Sequence, residues 1–308
     1  MKRLLRPLLA PVQRRLVRHL LGNFDYWQAR GVHVVPVHFY QPIPDTRELG
    51  SAPWSGRSEL PGVSMNEGLQ LELLSRFSAE YKAEYDAFPR ERALEPHRYF
   101  VNNGAFESVD GEVLYCMIRH FRPRRIFEVG SGNSTYLSAQ AVVKNRDETG
   151  RECELVAFEP YPNETLRSGF PGLARLVEAK AQDIPLSKFA ELDDGDILFI
   201  DSSHVLKIGS DVQYLYLEVL PRLRPGVVVH VHDIFLPEEY PRKWVMEQQT
   251  FWNEQYLLQA FLAFNDAFDV HWAGSYMHLK HPEKLEAAFA SYDRDTRRPG
   301  SFWMRRRA

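Results

Sequence analysis

The stretch RRIFEVGSGNSTYLSAQ, Arg124 to Gln140, runs from an apolar segment into glycine and small polar residues, then resumes with the look of a helix. That order reads as strand, turn, helix. One residue sits oddly in it: Glu128, a carboxylate two positions before a turn that holds almost no side-chain bulk. Working outward, short apolar runs recur at 125–129, 155–159, 175–178, 196–200 and 227–231, separated by helical stretches. Such alternation predicts parallel strands joined by crossover helices. FDVHWAG (268–274) and SFWMRRR (301–307) follow the helical NEQYLLQAFLAF and read as a terminal antiparallel pair. The expected fold is therefore α/β: a mostly parallel sheet of seven strands with a terminal antiparallel strand, and helices on both faces. An N-terminal extension precedes it. No internal repeat or low-complexity segment interrupts the pattern.

Composition narrows the class. At 308 residues, 44% hydrophobic and 26% charged, the chain holds one large domain with additions. The net charge of -3 argues against a general nucleic-acid binder. Two cysteines, Cys116 and Cys153, indicate neither a disulfide framework nor a cysteine zinc site, and point to a reducing, cytoplasmic setting. Cys116 falls on a helical apolar face and reads as core. No apolar run approaches the ~20 residues that cross a bilayer.

The first 22 residues, MKRLLRPLLAPVQRRLVRHLLG, carry six Lys/Arg and no acid. Leu5, Leu9, Val12, Leu16 and Leu20 recur at roughly helical spacing, with Arg14, Arg15 and Arg18 between them. These arginines interrupt any secretory signal. Two readings stand: a basic amphipathic helix on an anionic membrane surface or partner, or a helix packed on its own domain or a neighbouring subunit of a homo-oligomer. Residues 31–64 are rich in proline and glycine and read as an extended lid, and 65–88 as a helix. A further helix starts near Asp110, its expected N-cap, with Val113, Leu114, Met117, Ile118 and Phe121 on one side. The expected division is an extension over 1–105 and a binding domain over 106–308.

Ligands of open parallel sheets sit beyond the carboxyl ends of the strands. The first strand ends at Glu128, followed by Gly130, Ser131, Gly132, Asn133 and Ser134, where glycine allows close backbone approach. The second ends at Glu159, where an acid can accept both hydroxyls of a ribose. AQDIP supplies Asp183, placed to accept an adenine amino hydrogen. LFIDSSH supplies Asp201 and His204; VVVHVHDIF supplies His232 and Asp233. Each has a plainer reading. Glu159 is a surface acid, Asp201 and Asp233 are helix caps, His204 lines a loop, and His230 is a core histidine.

Taken in order, IFEVGSGNST, VAFEP, AQDIP, DILFIDSSH and LRPGVVVHVHDIF resemble the motif set of class I S-adenosylmethionine-dependent methyltransferases. More narrowly, they resemble the methyltransferase-24 group, related to macrocin-type and catechol-type O-methyltransferases. The resemblance covers about Asp110 to Asp233 and implies a Rossmann-like sheet. It implies that Glu128, Gly130, Ser131, Gly132, Asn133 and Ser134 surround the methionine part of the cofactor, with Glu159 on the ribose and Asp183 near adenine. A sulfonium cation with an ammonium group suits an acid beside the turn, whereas a dinucleotide pyrophosphate prefers the opposite sign. Thr135 stands where G-x-G-x-x-G needs its third glycine, which counts against an NAD(P)-dependent oxidoreductase. The resemblance further implies O-methylation of a small-molecule or glycosidic hydroxyl, with His204 as general base beside Asp201. Metal-dependent relatives imply a divalent ion, magnesium or similar, at Asp201 and Asp233. His232 stands where catechol-type enzymes carry an acid and is a further candidate ligand. Tyr40, Asn102, Asn103, Tyr240 and Trp252 are candidates for the acceptor side. A catalytically silent scaffold docking through residues 1–22 is the alternative from another class.

Overall fold

The computed structural model describes residues 2–307, with side chains described from residue 11 onward. The chain forms two compact units, Met1–Ser55 and Gly56–Ala308. The sequence reading draws its boundary near residue 105, whereas these units part at 55/56. In the first unit, α1 (Lys2–Leu21), α2 (Phe24–Gln28) and α3 (Ala52–Ser55) flank an extended proline-containing stretch.

The second unit is organised by a seven-stranded sheet. Helices α4 (Glu67–Tyr85) and α5 (Asp110–Phe121) lead into β1 (Arg125–Val129), and α6 (Asn133–Thr149) returns the chain to β2 (Glu154–Phe158). Then come β3 (Arg175–Val177), β4 (Ile197–Ile200), β5 (Val228–Val231), β6 (Phe268–Ala273) and β7 (Phe302–Arg306). The strand order is β3-β2-β1-β4-β5-β7-β6. β1 pairs in parallel with both β2 and β4, and β7 runs antiparallel between β5 and β6. The order reverses at β1, so the crevice between β1 and β4 is where a ligand belongs.

Both faces of the parallel strands are covered, which explains their near-continuous apolar runs. Side chains alternate between the faces with period two. On one face Ile126, Ile197 and Val228 meet Leu73, Phe77, Leu114 and Leu137; on the other Phe127, Leu198 and Val229 meet Leu215 and Leu258. Register then places Glu128, Phe199, His230 and Trp303 in one row on the first face. His230 stacks on Phe199 at 3.9 Å, and its Nε2 lies 2.9 Å from Ser301 Oγ. Burial holds its pKa well below the ordinary value. It is a core histidine, and Cys116 is likewise buried in the core.

Asp110 is not the N-cap of α5. Val109 takes that place, and Asp110 begins the helix. Its carboxylate instead accepts the backbone N–H groups of Gly300 and Ser301, each at 2.9 Å. Two buried amides ahead of β7 need an acceptor, and a long-range carboxylate supplies it.

At the end of β1, Gly130 has φ +81°, and a Cβ there would lie 1.7 Å from the carbonyl oxygen of Asp201. The glycine accommodates the neighbouring strand end more than a ligand. Gly130→Ala is expected to cost about 3 kcal/mol or more, combining a left-handed backbone with a collision against backbone. Denaturant unfolding checks this, and near-parental stability would contradict it.

Candidate active site

Two cavities open at the carboxyl ends of the parallel strands. The first, about 500 Å³, is lined by Gly130, Glu159, Tyr161, Gln182, Asp201 and Ser202, among others. The second, about 770 Å³, is lined by Asp110, Asp201, His232, Asp233, Trp244 and Trp252, with Lys243, Arg297 and Arg298 at its edge. Asp201 lines both, so one carboxylate marks the seam.

Around the first cavity the glycine-rich turn is held by acids. Glu159 accepts from the N–H of Ser131 at 3.2 Å and from that of Tyr161 at 2.8 Å, which ties the end of β2 to the turn. Glu128 is fully buried beneath the turn and does not line the cavity. Its Oε1 accepts the hydroxyls of Ser134 (2.6 Å) and Thr135 (2.9 Å), while its Oε2 has no partner. Burial raises its pKa to about 8, although both hydroxyls act to lower it. The acid therefore anchors the first turn of α6, and a cation bound above it would favour its ionised form. Ser134 is buried in this contact, Ser131 Oγ is buried without a partner, and Asn133 opens the helix.

Asp183 falls outside this group. It ends a short 3₁₀ turn, is exposed, and does not line the cavity. The preceding residue, Gln182, lines it instead; its Nε2 donates to Gly209 O at 3.1 Å, and its buried Oε1 is unpartnered. A 3₁₀ turn advances by a third of a turn per residue, so one position decides which side chain faces inward.

The second cavity ends on a cluster of imidazoles and carboxylates. His204 Nδ1 lies 2.9 Å from Glu254 Oε2, and its Nε2 lies 3.3 Å from Asp201 Oδ1 and 3.7 Å from Asp233 Oδ2. His232 Nδ1 is 3.4 Å from Asp201 and 3.7 Å from Asp233, and its Nε2 is 3.4 Å from Asp110. Both His204 and Asp233 hold left-handed backbones, φ +57° and +55°, as strained functional positions often do. Burial would lower the pKa of His204, but its bonds to Asp201 and Glu254 outweigh this and raise it to about 10. For His232 burial also acts downward, and Asp233 and Asp201 push the value well above normal. Asp201 is held well below the carboxylate range because the two histidines overcome its burial.

Donor atoms of Asp201, His204 and Asp233 lie within 4.8 Å of one another. Four carboxylates, including Asp110 and Glu254, surround two imidazoles. With all four ionised, negative charge exceeds that of two protonated rings, and burial accordingly raises the pKa of Asp233 and of Glu254. Two hard oxygen donors and one nitrogen, oriented from behind by Glu254, form a donor set that fits a divalent cation.

Of the expected acceptor-side residues, only Trp252 lines this cavity, and it packs on His204 with ring centroids 4.3 Å apart. Tyr40 belongs to the first unit and is exposed. Asn102 bridges Glu91 and Arg297. Asn103 is a turn former: its Oδ1 accepts from the N–H groups of Ala105 and Phe106. Tyr240 is buried, and its hydroxyl accepts the Gln255 N–H at 3.1 Å. Sequence reasoning missed Glu254, Gln182 and Asp110 as site residues. Glu254 opens a helix at Glu254–Leu262 and looks like an ordinary first-turn acid.

A parallel sheet with its last strand reversed, opening beyond β1 and β4 on paired cavities, has the architecture of a methyltransferase. Residues 127–234 match the family model described as "Methyltransferase domain". An uncharacterized protein of Archaeoglobus fulgidus is 31% identical over 172 residues, which is 53% of this chain and 75% of that protein. Over residues 127–234 the chain therefore belongs with the methyltransferases. Among solved structures it is similar to CmcI with Mg and SAM (15% identity, 73% of this chain and 84% of that one, TM-score 0.35). It is also similar to MycE, a methyltransferase from the mycinamycin biosynthetic pathway in complex with Mg, SAH and mycinamycin VI (12% identity, 78% and 54%, TM-score 0.33).

The buried Glu128 gives a signed pH effect. Its folded pKa, about 8, exceeds the ordinary 4.5, so the folded state binds this proton more tightly than the unfolded one. Stability is therefore lost as pH rises from about 4.5 towards 8, by a few kcal/mol. Glu128→Gln removes that loss, and its advantage over the parent in ligand-free protein should be small at pH 5 and largest at pH 8. Thermal or denaturant unfolding across this range checks it; a pH-independent difference would contradict it.

Proposed function

We propose that the protein transfers the methyl group of S-adenosylmethionine to a hydroxyl of a small or glycosidic acceptor. The carrying observation is that Asp201 lines both cavities. Transfer from a sulfonium carbon is an in-line displacement, so donor and acceptor must meet from opposite sides of one point. In this reading the 500 Å³ cavity takes the cofactor. Glu159 has lone pairs left for the ribose hydroxyls, Gln182 Oε1 accepts from the adenine amino group, and Glu128 balances the positive methionine end through the turn. The 770 Å³ cavity takes the acceptor, with Trp244 and Trp252 offering ring faces.

The proton of the acceptor hydroxyl needs a destination, and His204 Nε2 points at the seam. Glu254 accepts from Nδ1–H, fixes the tautomer and stabilises the imidazolium once formed, a division of labour familiar from acid–histidine pairs. In the ligand-free protein Asp201 and Glu254 hold His204 in its protonated form near neutral pH, in which it cannot accept a proton. A divalent cation held by Asp201 and Asp233 would acidify the acceptor hydroxyl and, by offsetting carboxylate charge, return His204 towards the neutral range. His232 is held between Asp110 and these acids, where it orients Asp201.

A second reading is favoured by the 4.8 Å clustering: His204 serves as the third ligand rather than as the base. Calorimetric titration of the protein with Mg²⁺ or Mn²⁺ separates the two. As base, His204→Ala keeps metal and cofactor binding and loses turnover by roughly 10²-fold or more; as ligand, it loses metal affinity as well. In either case Asp201→Asn should abolish metal binding, and intact binding in that variant would remove the metal from the mechanism. Glu159→Ala should weaken S-adenosylmethionine binding by about tenfold or more, as loss of a charged hydrogen-bond partner does. An unchanged cofactor affinity would contradict the assignment of the first cavity.

A further inference from the structure

The first unit has a property the active site does not use. Among residues 11–55 no side chain is buried. Eleven of the eighteen large apolar side chains left exposed among the described residues lie between Val12 and Ile43, so exposure is concentrated there rather than scattered as on an ordinary surface. Val12, Leu16 and Val17 of α1 are 64%, 57% and 52% exposed. Further on, His38 stacks on Phe39 and Tyr40 packs at a tilt against both, with Phe39 and Tyr40 82% and 81% exposed. Ordering such a segment costs conformational entropy that burial within the chain does not offset. Something outside must cover it.

The chemistry of the helix says what. At 100° per residue, Val12, Leu16 and Leu20 share an arc of roughly 80°, Arg14 and Arg18 fall on the opposite side, and Arg15 on its flank. Lys2, Arg3 and Arg6 add to the charge, and no acid occurs before Asp25, in a chain whose overall net charge is -3. Pro11 withdraws a backbone donor, but it projects on the arginine side, where water can reach the freed carbonyl. No helix among the described residues is long and apolar enough to cross a membrane. Another copy of this helix would match the apolar arc only by bringing like charges together. An acidic protein surface would match the arginines and leave the leucines in water. An anionic bilayer surface meets both demands, taking the apolar arc below its headgroups and the cations at them. Exposed aromatics such as Phe39 and Tyr40 suit the same depth.

We infer that the first unit docks the protein on an anionic phospholipid surface, with α1 lying in the interface plane. The test is co-sedimentation of the full chain with vesicles of phosphatidylcholine, with and without phosphatidylglycerol. Binding should require phosphatidylglycerol and weaken with salt. The triple variant Arg14→Glu, Arg15→Glu, Arg18→Glu should lower it by roughly 10²-fold or more. The double variant Val12→Asp, Leu16→Asp should lower it by a similar factor at unchanged cationic charge. Neither variant touches the two cavities, so an unchanged thermal shift with S-adenosylmethionine shows that the second unit is folded in both. Equal binding to both vesicle types, binding that survives both variants, or no vesicle binding would each overturn the inference. Self-association lost in both variants, without vesicle binding, would assign the face to a second copy instead.

Discussion

The carbonyl oxygen of Asp201 occupies the space in which a side chain at residue 130 would stand. This close approach fixes the site. It draws the turns after β1 and β4 together, and the backbone agrees: Asp201 N–H donates to Val129 O at 2.9 Å, and Gly130 N–H to Phe158 O at 3.0 Å. Because these chain ends touch, the crevice at the switch in strand order is divided into two cavities with one carboxylate at their seam. A bulkier residue at 130 would separate the strands and merge or close the cavities. The glycine is thus a constraint on the sheet first, and on the ligand only through it.

Electrostatics supplies the second constraint. Carboxylates from four places in the chain, Asp110, Asp201, Asp233 and Glu254, converge on His204 and His232. Buried like charges repel strongly, and such a group persists only if cations are interleaved. The imidazoles supply part of that charge in the ligand-free protein. They do so at the expense of their own basicity, because each carboxylate that steadies an imidazolium also keeps it protonated. Metal binding and the proton-accepting capacity of His204 are therefore linked.

The sheet was legible because its strands are covered on both faces and read as continuous apolar runs, with boundaries shifted by a residue or so. The acids at strand ends were legible for the same reason: once the strands are placed, topology says where their ends gather. What could not be read was long-range pairing. Glu254 lies fifty positions from His204, and nothing in NEQYLLQAFL distinguishes a first-turn acid that favours the helix dipole from one buried against an imidazole. Asp110 has the residue type and position of an N-cap, and only the approach of Gly300 and Ser301 redirects it. Asp183 and Gln182 differ by one step of a short 3₁₀ turn, below the resolution of any pattern. The acceptor-side residues fared worst. Asn102, Asn103 and Tyr240 are polar or aromatic types that serve turns and buried networks as readily as ligands, and their partners lie far off in the chain.

The turn itself separates a sulfonium cofactor from a dinucleotide. A pyrophosphate is held by free backbone N–H groups at a glycine-rich turn and helix start. Here the three amides of the turn itself are engaged. Gly130 N–H donates to Phe158 O, Ser131 N–H to Glu159 Oε2 at 3.2 Å, and Gly132 N–H to Thr135 Oγ1 at 2.9 Å. Thr135 stands where a dinucleotide fold would place its third glycine, and its hydroxyl passes the connection on to Glu128 at 2.9 Å. The substitution that breaks the glycine spacing is thus the one that engages the Gly132 amide and couples the turn to a buried carboxylate. An anion approaching this turn would find the amides of residues 130–132 occupied, leaving only those that open α6. A cation would favour the ionised form of the buried acid beneath, whose second oxygen is unpaired.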